Sequence, residues 1–191
     1  MAESSIPLTH HPLRIEPDEA QLITAARHDL RNFDALYKHH VTAVFRYLYS
    51  RTGNVLDSED ITAQTFLIAL ETFNRFRGDG HFRAWLFGIA RNKVVDLYRT
   101  RKTELPLDDA INTPTGEDPL LSAIRLEQKA VVAAIIAALT DEEQELLRLR
   151  YLGEMSYREI ANLLQSNEDA VKKTTYRLLA RIQSQLEDPN E

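Results

Sequence analysis

The chain has 191 residues, enough for one large domain or two small ones, and 43% of them are hydrophobic, which permits packed cores and argues against wholesale disorder. Cysteine is absent, so disulfides and thiolate metal sites are excluded, and no apolar run approaches the length of a membrane helix. The formal net charge of −6 argues at first against a nucleic-acid partner, but its distribution reverses that reading.

Residues 27–103 hold 13 Lys and Arg against 8 Asp and Glu. Residues 104–119 hold five acids and no base, and residues 120–187 hold 9 basic and 10 acidic side chains. A basic front half, an acidic spacer and a near-neutral back half are thus laid end to end. The first segment, 1–15, has two prolines and the pair His10-His11 and reads as a mobile extension. It has neither a basic start nor the apolar stretch of a signal peptide, so a cytoplasmic location is expected.

From Pro17 the pattern turns helical, with Leu22, Ile23 and Ala26 on one face. A longer helix is predicted from about Arg31, where Phe33, Leu36, Tyr37, Val41, Val44 and Leu48 keep a three-four spacing, and Gly53-Asn54 ends it. Asp57 and Ser58 read as the N-cap of the next helix, with Glu59 and Asp60 suited to its positive end. That helix carries an apolar stripe of Ile61, Phe66, Leu67, Ile68 and Leu70, and leaves Asp60, Gln64 and Glu71 off it. His39 and His40 point in different directions on their helix, which predicts surface placement.

The segment from Phe73 to Lys102, FNRFRGDGHFRAWLFGIARNKVVDLYRTRK, interleaves six aromatic side chains with eight cations. Aromatic faces stack unpaired bases and cations hold their phosphates. Gly78, Asp79 and Gly80 predict a loop, and from about Gly80 a helix is expected with Leu86, Ile89, Ala90, Val94 and Leu97 inward. Arg91, Asn92, Tyr98, Arg99 and Lys102 fall on the opposite face. Phe73, Phe82 and Phe87 fit a core, since large aromatics in helical domains are mostly buried. Phe76 sits against the loop, and Trp85 lies at the edge of the core face.

Residues 104–119, with three prolines, one glycine and five acids, keep no periodicity and read as a linker. Beyond it, Ile124, Val131, Ile135 and Leu139 mark a first helix. Thr140 with Glu143 forms a capping box for a second, bearing Leu146, Leu147 and Tyr151 and closed by Gly153. Ser156 with Glu159 caps a third, bearing Ile160, Leu163 and Leu164. Asn167 caps a fourth, with Val171, Thr175, Leu178, Ile182 and Leu186 inward. Two helices joined by so short a turn are a helix-turn-helix, whose second helix would present Asp169, Lys173, Tyr176, Arg177 and Ala180 to a major groove.

Three separated stretches agree in order with one family: LDSEDITAQTFLIAL, FRGDGHFRAWLFGIARNKVVDLYR and LTDEEQELLRLRYLGEMSYREIANLLQSNEDAVKKTTYRLLARIQ. From about Pro17 to Leu186 the chain resembles the extracytoplasmic-function (ECF) sigma factors, bacterial transcription initiation factors that keep only regions two and four. The resemblance implies an all-α protein of two small helical domains, a region 2 unit over 16–103 and a helix-turn-helix region 4 unit over 120–187, joined by the acidic linker. It implies that Asp57, Glu59, Asp60, Gln64 and Glu71 grip the β′ coiled coil of core RNA polymerase. Phe76, Arg77, Gly78, Asp79, Phe82, Trp85, Arg91, Asn92, Arg99 and Lys102 would recognise and melt the minus-ten element. Asn167, Asp169, Lys172, Lys173, Tyr176, Arg177 and Arg181 would read the minus-thirty-five element in a domain docked on the β flap. Promoter DNA, duplex and single-stranded, and an anti-sigma factor are the further partners implied.

The chain departs from that family where Gln165 replaces the usual glycine of the helix-turn-helix turn. It departs again at Asp169, a carboxylate on the groove face, and at Lys173-Thr174, which stands for the commoner Ser-Arg pair. A conventional helix-turn-helix regulator with a helical interaction domain in front is the alternative, and it would bind duplex DNA alone. An enzyme is disfavoured by the lack of a phosphate-cradling glycine loop, an HExxH or a nucleophile elbow, and neither metal nor cofactor is expected.

Overall fold

The computed structural model describes residues 18–77, 81–101 and 130–187, and all regular structure among them is helical. In the front half, α1 spans Asp18–His28, α2 Phe33–Thr52, α3 Val55–Thr72 and α4 Phe82–Arg101. In the back half, α5 covers residues 130–137, α6 spans Asp141–Leu147, α7 Tyr157–Leu164 and α8 Glu168–Glu187. No described helix is long and apolar enough to cross a membrane. The loop residues Gly78 and Asp79, Lys102, the acidic linker 104–119, Ile124 and the 1–15 extension lie outside the described residues.

Local chemistry sets most helix ends. Gly53 closes α2 in the left-handed region at φ 66°, its N–H donating to the Tyr49 carbonyl at 2.9 Å. The next N-cap is Asn54, not Asp57 or Ser58. Asn54 is extended and its Oδ1 accepts from the Asp57 N–H at 3.1 Å, so the cap of α3 lies three residues before Asp57. Ser58 is instead buried, donating to the Asn54 carbonyl. Both expected capping boxes form, Thr140 with Glu143 and Ser156 with Glu159. Asn167 accepts the Asp169 N–H at 2.8 Å and so starts α8.

The front half packs around aromatic rings. Phe33, Phe73, Phe76 and Phe82 meet edge-on or stacked at centroid distances of 5.4 to 6.3 Å. Leu67 departs from its expected stripe: it is 55% exposed, while Ile61, Phe66 and Ala69 turn inward. His40 departs in the other direction. It is fully buried, its ring 5.3 Å from that of Phe82 and its Nε2 2.9 Å from Glu19 Oε1. Helix α1 folds back over α2 and brings that carboxylate inside, which the spacing of two adjacent histidines cannot reveal. Burial pushes the His40 imidazole below its ordinary range, Glu19 opposing and Arg83 and His39 adding to it.

In the back half, α6 runs on into a π turn over Arg148–Leu152 before Gly153. Leu146, Leu149 and Met155 are buried there, while Tyr151 is exposed. Val171, Thr175 and Leu178 of α8 face inward as expected, but Leu186 at its far end is 44% exposed.

The two halves share one apolar core. Leu149, Met155 and Ile160 join the cluster that holds Leu48, Phe87 and Val94. At Gly153 an added Cβ would come within 2.7 Å of the Phe87 ring, so only glycine lets the turn after α6 approach α4 this closely. Gly88 of α4 likewise faces Leu163 of α7.

Candidate nucleic-acid interface

Three surfaces were expected to carry function, and α4 organises the first. Phe82 is fully buried and Phe76 is only 9% exposed. Arg27 covers Phe76, its guanidinium carbon 5.7 Å above the ring and its Nη2 donating to the Phe76 carbonyl at 2.9 Å. Neither ring presents a face for stacking: Phe82 takes the core place that its pattern predicts, and both side chains are corrected from the minus-ten contacts that the resemblance implies to the floor beneath them. Apolar rings at the start of α4 had more to gain from each other than from water.

Trp85 is half-buried, its ring 5.1 Å from Phe76 and 5.5 Å from Phe82. It lines an open cleft of about 330 Å³ with Arg75, Phe76, Arg77, His81 and Ala84, to which Asn162 and Leu163 of α7 also contribute. Arg75, His81 and the two α7 residues escaped the sequence reading. Arg75 and His81 flank the glycine loop and carried that signal, whereas the α7 residues lie in the other half and carried none.

Along α4 beyond the cleft, Arg91, Asn92 and Arg99 are exposed, as the helical period requires. Arg91 also lies 3.7 Å from Glu145. At the C-terminal end, Arg101 donates to both oxygens of Asp57 at 2.7 and 2.6 Å, and the Tyr98 hydroxyl donates to the Arg51 carbonyl. Asp57 is thereby held by α4, and of the expected α3 surface Glu59, Asp60 and Glu71 stay exposed, with Gln64 donating to Asp60 at 2.8 Å.

Glu145 is the charge that sequence inspection missed. It is one of four acids within residues 141–145, yet it alone turns inward, 5% exposed. Its Oε1 accepts from the Tyr47 hydroxyl at 2.7 Å and its Oε2 from Arg51 Nη1 at 2.5 Å. Burial pushes the Tyr47 hydroxyl far above its ordinary value and the carboxylate adds to the shift, so it stays a donor. Burial works against the Arg51 charge, but Glu145 outweighs it and raises the guanidinium above its usual range.

The third surface is α8. Asn167, Asp169, Lys172, Lys173, Tyr176 and Arg177 are all exposed on it. Arg181 is engaged instead, 2.7 Å from Glu143 of the α6 capping box. Gln165 ends α7 in the left-handed region at φ 53°, where glycine would sit without strain, and the Ser166 N–H donates to the Ala161 carbonyl at 2.8 Å. The turn keeps helix-turn-helix geometry with a residue ill suited to it.

Known proteins match this arrangement. Residues 36–104 match the sigma-70 region 2 family and residues 129–182 the sigma-70 region 4 family. The ECF RNA polymerase sigma factor BldN of Streptomyces coelicolor is 32% identical over 82% of the chain, which spans 61% of that longer protein. The RNA polymerase sigma factor CnrH of Cupriavidus metallidurans is 30% identical over 93% of the chain and 100% of its own length. Its structure in complex with the cytosolic domain of CnrY superposes with a TM-score of 0.63 at 28% identity, covering 90% of this chain and 98% of that one. The sigma factor RpoE of Bartonella quintana, solved with the anti-sigma factor NepR, shares the fold alone, with a TM-score of 0.62 at 19% identity over 82% of this chain and 98% of that one.

Proposed function

Since the chain belongs to the ECF RNA polymerase sigma factors, we propose that it binds core RNA polymerase, directs it to specific promoters and promotes strand opening at the minus-ten element. It acts as a transcription factor in the cytoplasm, without catalytic residues of its own. The region 2 unit, 16–103, supplies polymerase binding and melting. The region 4 unit, 120–187, supplies minus-thirty-five reading, and the acidic residues 104–119 join them. Exposed Glu59, Asp60 and Glu71 with Gln64 form the polymerase-binding surface. Lys172, Lys173, Tyr176 and Arg177 form the groove face of α8.

One observation carries the reading: a cleft holding Arg75, Arg77, His81 and Trp85 sits at the head of a helix whose exposed line continues through Arg91, Asn92 and Arg99. Opening duplex DNA costs a few kcal/mol per unstacked base, and stacking on an aromatic returns about 1–3 kcal/mol for each captured base. A site that accepts only extruded bases therefore favours the open state without ATP. Asn92 offers donor and acceptor together and can pair with a base edge, while arginines hold the phosphates. A duplex-reading regulator has no use for such a cleft. The relative CnrH, solved with the cytosolic domain of CnrY, supports a protein partner of that kind here too, and the anti-sigma factor implied by the family resemblance is the candidate for it.

The test is reconstitution. With core polymerase, the chain should give permanganate-reactive thymines around minus ten on a paired promoter. Asn92→Ala should keep polymerase binding and lose that reactivity, with a template mismatched at minus ten restoring transcription at least partly. Tight promoter binding by the chain alone, with no retention of polymerase subunits, would instead establish the conventional regulator.

A further inference from the structure

The outward face of α8 carries one charge of the wrong sign for a DNA partner. At 3.6 residues per turn, Asp169, Lys173, Tyr176 and Ala180 fall within about 60° of arc, opposite the buried Val171, Thr175 and Leu178. All four are exposed, and Asp169 heads the row, in the first turn of α8. The N-terminal residues of such a helix are the ones that reach base edges. A carboxylate set among Lys172, Lys173 and Arg177 lowers the attraction of this face for phosphate.

Its surroundings leave that carboxylate free. The acid beside it, Glu168, is turned toward α7, its Oε2 3.3 Å from Arg158 Nε. The helix start is capped by Asn167, whose side chain accepts the Asp169 N–H at 2.8 Å. The Asp169 carboxylate itself has no hydrogen-bond or ion-pair partner among the described residues. Glu168 already supplies the negative charge that suits a helix N-terminus, so a second acid on the groove side is not required for it.

Base edges offer such a group one good match. An ionised carboxylate only accepts, so in the major groove it needs an amino donor, cytosine N4 or adenine N6. Adenine sets its own N7 acceptor beside N6, whereas cytosine presents N4 alone, so cytosine repels the carboxylate less. Four helical residues rise about 6 Å against about 3.4 Å per base pair, so Asp169 and Lys173 reach bases about two pairs apart.

We propose that Asp169 is a specificity-determining residue: it accepts a hydrogen bond from the N4 amino group of a cytosine in the minus-thirty-five element, about two base pairs from the base that Lys173 contacts. The inference rests on the groove role of α8 proposed above. Opposite any other base, the carboxylate keeps its repulsion from the phosphates and gains less in return, so Asp169 acts mainly by rejecting wrong sequences.

The test selects bound promoters from a library randomised across the minus-thirty-five element, with polymerase reconstituted with the full chain. Wild type should enrich cytosine about tenfold at one position. Asp169→Ala should lose that preference and keep the others, while Asp169→Asn should change it to adenine, whose N6 and N7 together suit an amide. A second arm alters the DNA instead. Replacing the selected cytosine by 2-pyrimidinone, which lacks the 4-amino group, should weaken the wild-type holoenzyme about tenfold and leave the Asp169→Ala holoenzyme unaffected.

The same selected sequence from all three proteins, or no cytosine preference in wild type, would overturn the proposal and leave Asp169 an acid at a helix end. Should a variant fail to fold, wild type decides alone, since equal binding to cytosine and 2-pyrimidinone promoters would also overturn it. A holoenzyme that enriches no minus-thirty-five sequence at all would refute the groove role of α8 itself.

Discussion

Phe82 separates a structural from a functional role most sharply, because family resemblance puts it at the DNA and the fold puts it in the core. Its ring is fully buried, 5.3 Å from His40, 5.4 Å from Phe76, 5.5 Å from Trp85, 6.1 Å from Phe73 and 6.3 Å from Phe33. Truncating a fully buried phenylalanine to alanine costs about 3–5 kcal/mol, and the loss of several edge-to-face contacts favours the upper end. That is a large share of the roughly 5–15 kcal/mol that stabilises a domain. For a chain of this size it corresponds to a melting temperature lower by about 6–20 °C. Phe82→Leu keeps most of the volume and should cost no more than about 2 kcal/mol. Thermal melts followed by circular dichroism give both numbers, and permanganate footprinting at a temperature where each variant is folded gives the functional one. Phe82→Leu should open promoters like wild type once the folded fraction is matched. A Phe82→Leu protein that melts with wild type but fails to open DNA would refute the core assignment and restore Phe82 to the base-binding surface.

Three further outcomes are expected. Burial holds His40 below its ordinary value, so the unfolded chain takes up that proton first. Stability should be full above about pH 6.5 and decline as pH falls through that value, levelling once the folded imidazole itself titrates. Urea midpoints across that range should slope less in His40→Gln, and an identical slope would remove His40 as the cause. Lys173→Ala or Arg177→Ala should weaken promoter binding by the holoenzyme by about 1–3 kcal/mol if the side chain reads a base. An equal loss on a scrambled minus-thirty-five element would assign the residue to phosphate, and no loss would remove α8 from the groove. Gln165→Gly should raise stability by about 0.5–1 kcal/mol, since the position is left-handed; a lower denaturation midpoint would show that the turn gains more from the glutamine than it loses in strain.

Features written in a few adjacent residues were legible from the chain alone. Both capping boxes, the left-handed stop at Gly53, the strained turn at Gln165 and the inward face of α4 each follow from side chains within one or two turns of each other. Asn54 shows how narrow the margin is: it reads as part of the stop of α2, with Asp57 as the next cap, yet its extended backbone after Gly53 makes it the cap of α3. What stayed hidden depends on residues far apart in sequence. Nothing near Glu145 distinguishes it from its acidic neighbours, because its partners Tyr47 and Arg51 lie in the other half. His40 is buried by a carboxylate from α1. Phe82 fits a core from its pattern, but Phe76, beside the loop, carries the same signal as base platform and as core, and packing alone separates the two.

Trp85 is the only tryptophan in the chain. It lies half-buried against Phe76 and Phe82, in the cleft that Asn162 and Leu163 of the other half help to line. Its indole is therefore an intrinsic fluorophore at the place where strand entry changes the local dielectric. Excited selectively, its emission should be quenched when a base stacks on it. Stopped-flow emission of the unlabelled wild-type chain with polymerase can therefore time base capture without any label.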